Sequence, residues 1–351
     1  MLPENNNQNN TISNNLKYID FLRVFAAIMV IILHAVSDYY LDSINFETRL
    51  WWVFTIVNEI CRTGVPLFFM ITGYLMLSKS KIVSIKDFYK KRIFKILIPF
   101  LIWDIIYYCY YRCINNLNIF DVAFFDELLL TGSAYHLWYV YSLIFLYLLL
   151  PFIKIITDKC SLKLQILFLF LVILQTTVKP FINIVTWTYF YFAPDGFIGY
   201  LGYMLLGNIL GKFDFKKSTR IVIYILGLAG AALGIIGNYL YSVENGFNLI
   251  FNGGYMLNHF LFAGAIFVFF KYAVQKANPS KNNFISKLST LTLTVYFVHV
   301  LPIEIAKEHF YGLAPSTLAL YKFLIALFAS FIIAYIIESF KKIIFYRRKE
   351  V

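Results

Sequence analysis

Four side chains with chemical potential, Asp20, Arg23, His34 and Asp38, share one otherwise apolar stretch, Asp-Phe-Leu-Arg-Val-Phe-Ala-Ala-Ile-Met-Val-Ile-Ile-Leu-His-Ala-Val-Ser-Asp. Arg23 and His34 are eleven residues apart. On a helix that spacing returns to within about 20° of the same face, about 16 Å further along the axis. One face then offers a cation to bind an anionic ligand at one depth and an imidazole to move a proton at another. Asp38, one turn beyond His34, is spaced to accept the second imidazole N–H and fix the tautomer. Each residue also has a plain structural reading, Arg23 as a positive-inside anchor and His34 as a histidine bonded to a neighbouring helix. Ionisable groups are costly in lipid, and their occurrence together in an apolar run favours function.

The elements that must position them are membrane spans. The chain has 351 residues, 60% hydrophobic, 20% aromatic and 14% charged, with a mean hydropathy of +0.70. Soluble domains run near 45–50% apolar and 25% charged, so this composition excludes one and predicts an all-α polytopic membrane protein in the lipid bilayer. Apolar runs of roughly 17–25 residues give about ten transmembrane spans: 18–37, 51–77, 93–113, 136–156, 163–180, 194–211, 219–240, 255–273, 287–304 and 317–340. The net charge of +12 comes from Lys and Arg in alternate short loops, a topology signal rather than a nucleic-acid surface, and no nucleic-acid-binding module is present. The positive-inside count places both termini in the cytoplasm with an even number of spans. Residues 1–16 are Asn-rich and polar and predict a disordered tail without a cleaved signal. A single transmembrane domain follows over 17–341, then a basic cytoplasmic tail over 342–351. Cys61, Cys109, Cys113 and Cys160 form no metal-ligand framework, and no metal is called for.

Further polar groups punctuate the spans. Glu59 and Arg62 are i, i+3 neighbours able to neutralise each other. Gly64 and Pro66 follow and interrupt the helix, which is tolerated in a membrane only inside protein or beside a wet cavity. Thr72, Gly73 and Tyr74 suit close helix approach. Seven cations from Lys79 to Lys95 read first as a topology signal and second as a docking patch for a phosphorylated cytosolic donor such as coenzyme A. Asp104 needs a partner, Arg23 or Arg62. His136, Trp138 and Tyr139 open the fourth span as an aromatic belt or a platform for the C–H face of a sugar. His299 is a second intramembrane histidine, whereas His259 and His309 read as interfacial or solvated.

Taken as a set, Asp20-Phe-Leu-Arg23 with ten residues to His34, Val65-Pro-Leu-Phe-Phe-Met-Ile-Thr-Gly-Tyr-Leu75, His136-Leu-Trp-Tyr139, Gly199-Tyr-Leu-Gly-Tyr-Met-Leu-Leu-Gly-Asn-Ile-Leu-Gly211 and Tyr296-Phe-Val-His299 resemble the membrane-bound acyltransferase 3 family, and most of all its O-acetyltransferases of the enterobacterial common antigen type. The resemblance implies acetyl-CoA as a cytosolic acyl-donor substrate with no bound cofactor, and a carbohydrate or glycolipid acceptor at a bacterial plasma (inner) membrane. It makes His34 the catalytic histidine and Arg23 a residue needed for activity. Thr72 departs mildly from the serine common in the family, and Asp38 belongs to no matched motif. On this reading His34 and Asp38 are catalytic, and Arg23, Asp20, Glu59 and Arg62 serve the donor. His136, Trp138, Tyr139 and His299 shape the acceptor side, and a homo-oligomer is compatible. Two other classes compete, a polysaccharide or glycan-precursor exporter lined by the buried charges, and a membrane subunit with no chemistry of its own.

Overall fold

A chain in lipid must satisfy its backbone N–H and C=O groups internally, so apolar runs of this length fold as helices. The structure, a computed structural model, describes residues 5–78, 84–119, 123–126, 132–186, 195–277 and 283–347, and among them there are helices and no strand. The helices are α1 (Asn5–Tyr40), α2 (Arg49–Arg62), α3 (Gly64–Leu77), α4 (Ile85–Ile114), α5 (Ala123–Asp126), α6 (Trp138–Lys159), α7 (Leu162–Thr186), α8 (Asp195–Lys212), α9 (Lys217–Asn245), α10 (Leu257–Ala277), α11 (Asn283–Val298), α12 (Val300–His309) and α13 (Pro315–Arg347). Helix α1 begins at Asn5, inside the polar segment 1–16. In the same way α13 carries helix into the expected basic tail as far as Arg347. Lys79, Lys81 and residues 348–351 lie outside the described residues.

Among the described residues, eight stretches are long and apolar enough to cross a membrane, with α2 and α3 counted together. The number is nine when α11 and α12, bent by 54° about His299, form one span. Ten are expected from the sequence, and the difference is α8. It coincides with the run at 194–211 and has 18 residues, within the roughly 17–25 that a span takes.

Two compact units are formed, Met1–Lys79 with Lys159–Thr292, and Ser80–Asp158 with Leu293–Val351. In the first unit α1 packs on α2, α3 and α10, α3 lies along α8, and α9 lies along α10. The interruption expected at Gly64 and Pro66 is confined to Thr63, which separates α2 from α3. Its hydroxyl donates to the Ile60 carbonyl at 2.7 Å, and its own carbonyl accepts Leu67 N–H at 2.9 Å. The freed backbone is therefore satisfied inside the protein, and no wet cavity is needed there. Lys271 of α10 is buried. Its ammonium donates to the carbonyls of Leu210, Gly211 and Phe213 at 3.2, 3.1 and 2.7 Å and lies 3.2 Å from Asp214, so it caps the negative end of α8.

In the second unit α12 packs on α13, and the bend at His299 is held by one phenol. Tyr107, fully buried on α4, donates to the carbonyl of Phe297 at 2.8 Å and approaches that of Val298 at 3.3 Å. The same oxygen accepts Leu301 N–H at 3.2 Å. These are the backbone groups that a broken helix leaves without partners. Tyr107→Phe, which removes only the hydroxyl, is expected to cost about 1–3 kcal/mol. The fall in the thermal midpoint of the detergent-solubilised protein measures it, and an unchanged midpoint would show that the bend holds itself.

Candidate active site

The α1 residues sit in the first unit. The helix is unbroken from Asn5 to Tyr40, so Arg23 and His34 keep the one-face spacing expected of them. Arg23 Nη1 lies 3.9 Å from Asp20 Oδ1 (i, i+3), with 33% of the arginine side chain exposed. Asp20 is itself fixed from α11: Ser289 donates its hydroxyl to Oδ1 at 2.7 Å, and Ser286 donates to Oδ2 at 2.8 Å. Asp20 is therefore a tether that aims Arg23 as much as a ligand group. Ser286 and Ser289 escaped the sequence reading, although their i, i+3 spacing at the start of α11 puts both hydroxyls on one face. His34 is half-buried and Asp38, one turn on, is exposed.

The same unit holds a second polar cluster. Glu59, 2% exposed, does not pair with Arg62 as their spacing allows. Its Oε1 accepts Asn258 Nδ2–H at 2.8 Å and lies 3.5 Å from His259 Nδ1. Arg62 turns to its own helix and donates from Nε and Nη2 to Asn58 Oδ1 at 3.1 and 3.0 Å. His259 is not solvated: it is fully buried at the start of α10. Asn58 and Asn258, also fully buried, are further residues that the sequence did not flag.

In the second unit the residues assigned to the acceptor side divide. His136 and His299 meet ring to ring at 5.1 Å in a T-shaped arrangement, and Tyr139 packs on Tyr296 at 4.9 Å. Tyr296 donates its hydroxyl to the His136 carbonyl, and Tyr107 lies 5.1 Å from the His136 ring. His299 Nδ1 is 2.7 Å from the Tyr296 carbonyl. A carbonyl can only accept, so the ring proton sits on Nδ1 and Nε2 presents its lone pair. Trp138 stands at the edge of the group: it is 41% exposed and meets the Tyr139 ring edge-on at 6.4 Å. Asp104 is fully buried, and its Oδ1 accepts Ser133 N–H at 2.7 Å. Its hydrogen-bond partner within the second unit is therefore a backbone amide.

Three histidine-bearing arrangements thus follow from the chain, those of His34 on α1, of His259 beside Glu59 and of His136 with His299. An imidazole suits each to proton transfer. Comparison with known proteins adds a family model described as an acyltransferase domain, the acyltransferase 3 model, which matches residues 16–339. An amino-acid racemase from Enterococcus faecalis is 29% identical over 131 residues, 34% of this chain and 17% of the racemase. The match spans that small part of the relative's length, and the racemase activity is said of that protein alone. No solved structure matches.

Proposed function

The chain belongs to the acyltransferase 3 family, whose domain model covers nearly all of it, and on that premise we propose that it moves an acetyl group from cytosolic acetyl-CoA to a hydroxyl of a cell-envelope or lipid-linked glycan. It is an integral membrane acyltransferase; the donor, the acceptor and a bacterial plasma membrane are the proposal. The observation that carries it is α1, which sets a tethered cation and an imidazole on one face within the family-matched domain.

In the transfer, the acceptor oxygen bonds to the acyl carbon as its proton leaves. The C–S bond of the thioester then breaks, and the departing thiolate takes up a proton to become the coenzyme A thiol. Neutral His34 serves as general base for the acceptor or carries the acyl group itself between the two substrates. Arg23, held by Asp20, Ser286 and Ser289, binds the donor through charge-assisted bonds to phosphate or pantetheine oxygens. The positive-inside count puts the Arg23 end of α1 on the cytoplasmic side, which suits a donor made in the cytosol. His136, Tyr139 and His299 line the acceptor side.

Purified protein in lipid nanodiscs, given radiolabelled acetyl-CoA and an envelope glycolipid extract, is expected to label the glycolipid. Arg23→Ala is expected to raise KM for the acyl-CoA about tenfold or more with a smaller change in kcat, the pattern of lost donor binding. A wild-type protein that labels nothing from acetyl-CoA or longer acyl-CoAs would put glycan export ahead of acyl transfer.

A further inference from the structure

Glu59 and His259 are both buried, come from α2 and α10, and are not accounted for by the roles of Arg23 and His34. Glu59 fits where it does because α9 presents Gly234 to it: a Cβ at that position would overlap the carboxylate. Asn258 donates one N–H to Glu59 and the other to the Phe251 carbonyl at 3.1 Å, which fixes the amide's orientation. Phe251 N–H in turn is accepted by Asn238 of α9 at 2.8 Å. These bonds hold Phe251 at the start of α10. Both ring nitrogens of His259, Oδ1 of Asn258 and Nδ2 of Asn58 are buried and make no hydrogen bond among the described residues. Buried polar groups favour a partner, and the His259 ring has the Glu59 carboxylate 3.5 Å from its Nδ1.

We propose that Glu59 and His259 form a buried dyad that holds one exchangeable proton during acyl transfer, with Asn258 and Arg62 as its positioning residues. The inference rests on the acyl-transfer reading in one respect: that reaction releases a proton at the acceptor hydroxyl and consumes one at the coenzyme A thiolate. A buried group that takes up and returns one proton joins the release to the uptake. The dyad suits the task electrostatically. With its proton, carboxylate and imidazole are together neutral. Without it, the carboxylate's charge is balanced by Arg62, whose guanidinium is tied to Asn58. Neither state strands more than one net charge in the apolar interior. The titratable and charged groups that face the pair are Arg62 of α2, Tyr40 of α1, and Tyr200 and Tyr203 of α8, while α9 contributes uncharged Gly234.

The test uses the full chain in nanodiscs and two readouts. Infrared difference titration without substrate is expected to show a protonated-carboxyl carbonyl band that titrates between about pH 4 and pH 10. The band should be absent in Glu59→Gln and moved in midpoint by about one pH unit or more in His259→Asn, with His259→Gln as the second variant if the first does not fold. In the transfer assay each single variant is expected to lower kcat about 100-fold with KM for the acyl-CoA unchanged within about threefold, and the double variant should be no slower than either, because the pair acts as one unit. A folded wild-type protein with no titrating band, or a band indifferent to His259, overturns the dyad. A titrating band with unimpaired kcat in both single variants overturns its part in transfer. A titrating band in a protein that transfers no acyl group retains the dyad and overturns the acyl-transfer reading instead.

Discussion

Acyl transfer is expected to fall by about 100- to 10,000-fold in kcat when His34 is replaced by alanine, the range that one positioned acid–base group supplies. The protein should remain folded. His34 is half-buried, and α1 is anchored by Tyr18, Leu22, Ala26, Val30 and Ile31, all of them buried, so truncating one imidazole leaves the packed stripe of the helix intact. The same variant separates the two routes open to the histidine. If the imidazole only takes a proton, substrate positioning by the rest of the site leaves a residual rate, added imidazole restores part of the loss, and wild-type protein mixed with labelled acetyl-CoA alone gains no covalent label. If His34 carries the acyl group, wild-type protein becomes labelled before any acceptor is added, and His34→Ala does not. A folded His34→Ala protein that transfers at the wild-type rate removes His34 from the chemistry and leaves the histidines of the second unit as the candidates. Comparison with Arg23→Ala sharpens the result, because loss of donor binding appears chiefly in KM and loss of the acid–base group chiefly in kcat.

The helices were legible because lipid leaves the backbone little alternative, and each of the ten expected apolar runs coincides with helix in the structure. The one-face relation of Arg23 and His34 was legible for the same reason, since it depends only on 3.6 residues per turn. What could not be read was which side chains meet across helices. Glu59 has Arg62 three residues away and takes Asn258, 199 residues away, instead. Local spacing states that a pair can form and says nothing of the better-placed donor on another element. His259 looked interfacial or solvated because it opens a span; it is buried at the start of α10, where Asn238 and Asn258 pin the turn at Ile250–Asn252 through Phe251. Trp138 is the exposed edge of its aromatic group because adjacent residues diverge on a helix, and its neighbour Tyr139 points in. The fit of Glu59 against Gly234 is likewise a fact about two helices.

The largest loss of stability is expected from Gly207→Val. Alpha-helices three and eight, α3 and α8, cross with their backbones in contact at two points that mirror each other. A Cβ on Gly73 would overlap the Met204 carbonyl, and a Cβ on Gly207 would overlap the Met70 carbonyl. Each helix brings the same four-residue pattern, Met70-Ile-Thr-Gly73 and Met204-Leu-Leu-Gly207, so each glycine receives the partner's methionine backbone one turn from its own. In lipid, where burying apolar surface gains nothing between helices, such close approach supplies the attraction through dispersion and Cα–H to carbonyl contacts. Ser78 extends the joint by donating to Asn208 Oδ1 at 3.0 Å, and Phe69 stacks on Tyr200 at 4.5 Å. Valine at 207 places its Cβ on backbone that cannot step aside as a side chain can. The helices must separate, at a cost of about 3 kcal/mol or more. Because α3 continues α2 across the single residue Thr63, the separation also displaces Glu59 and Arg62, and transfer activity is expected to fall with folded yield. Gly207→Ala should lie between valine and wild type, since even one methyl overlaps the Met70 carbonyl. The control is Gly264→Ala on α10, where a Cβ would meet only Leu210 and Leu206 side-chain carbons at 3.6 and 3.8 Å, ordinary contact distances that predict an unchanged thermal midpoint. Thermal unfolding of the three variants in one detergent decides the matter. Equal midpoints for Gly207→Ala and Gly264→Ala would mean that α3 and α8 do not cross on their glycines, and the seating of Glu59 and Arg62 would then need another support.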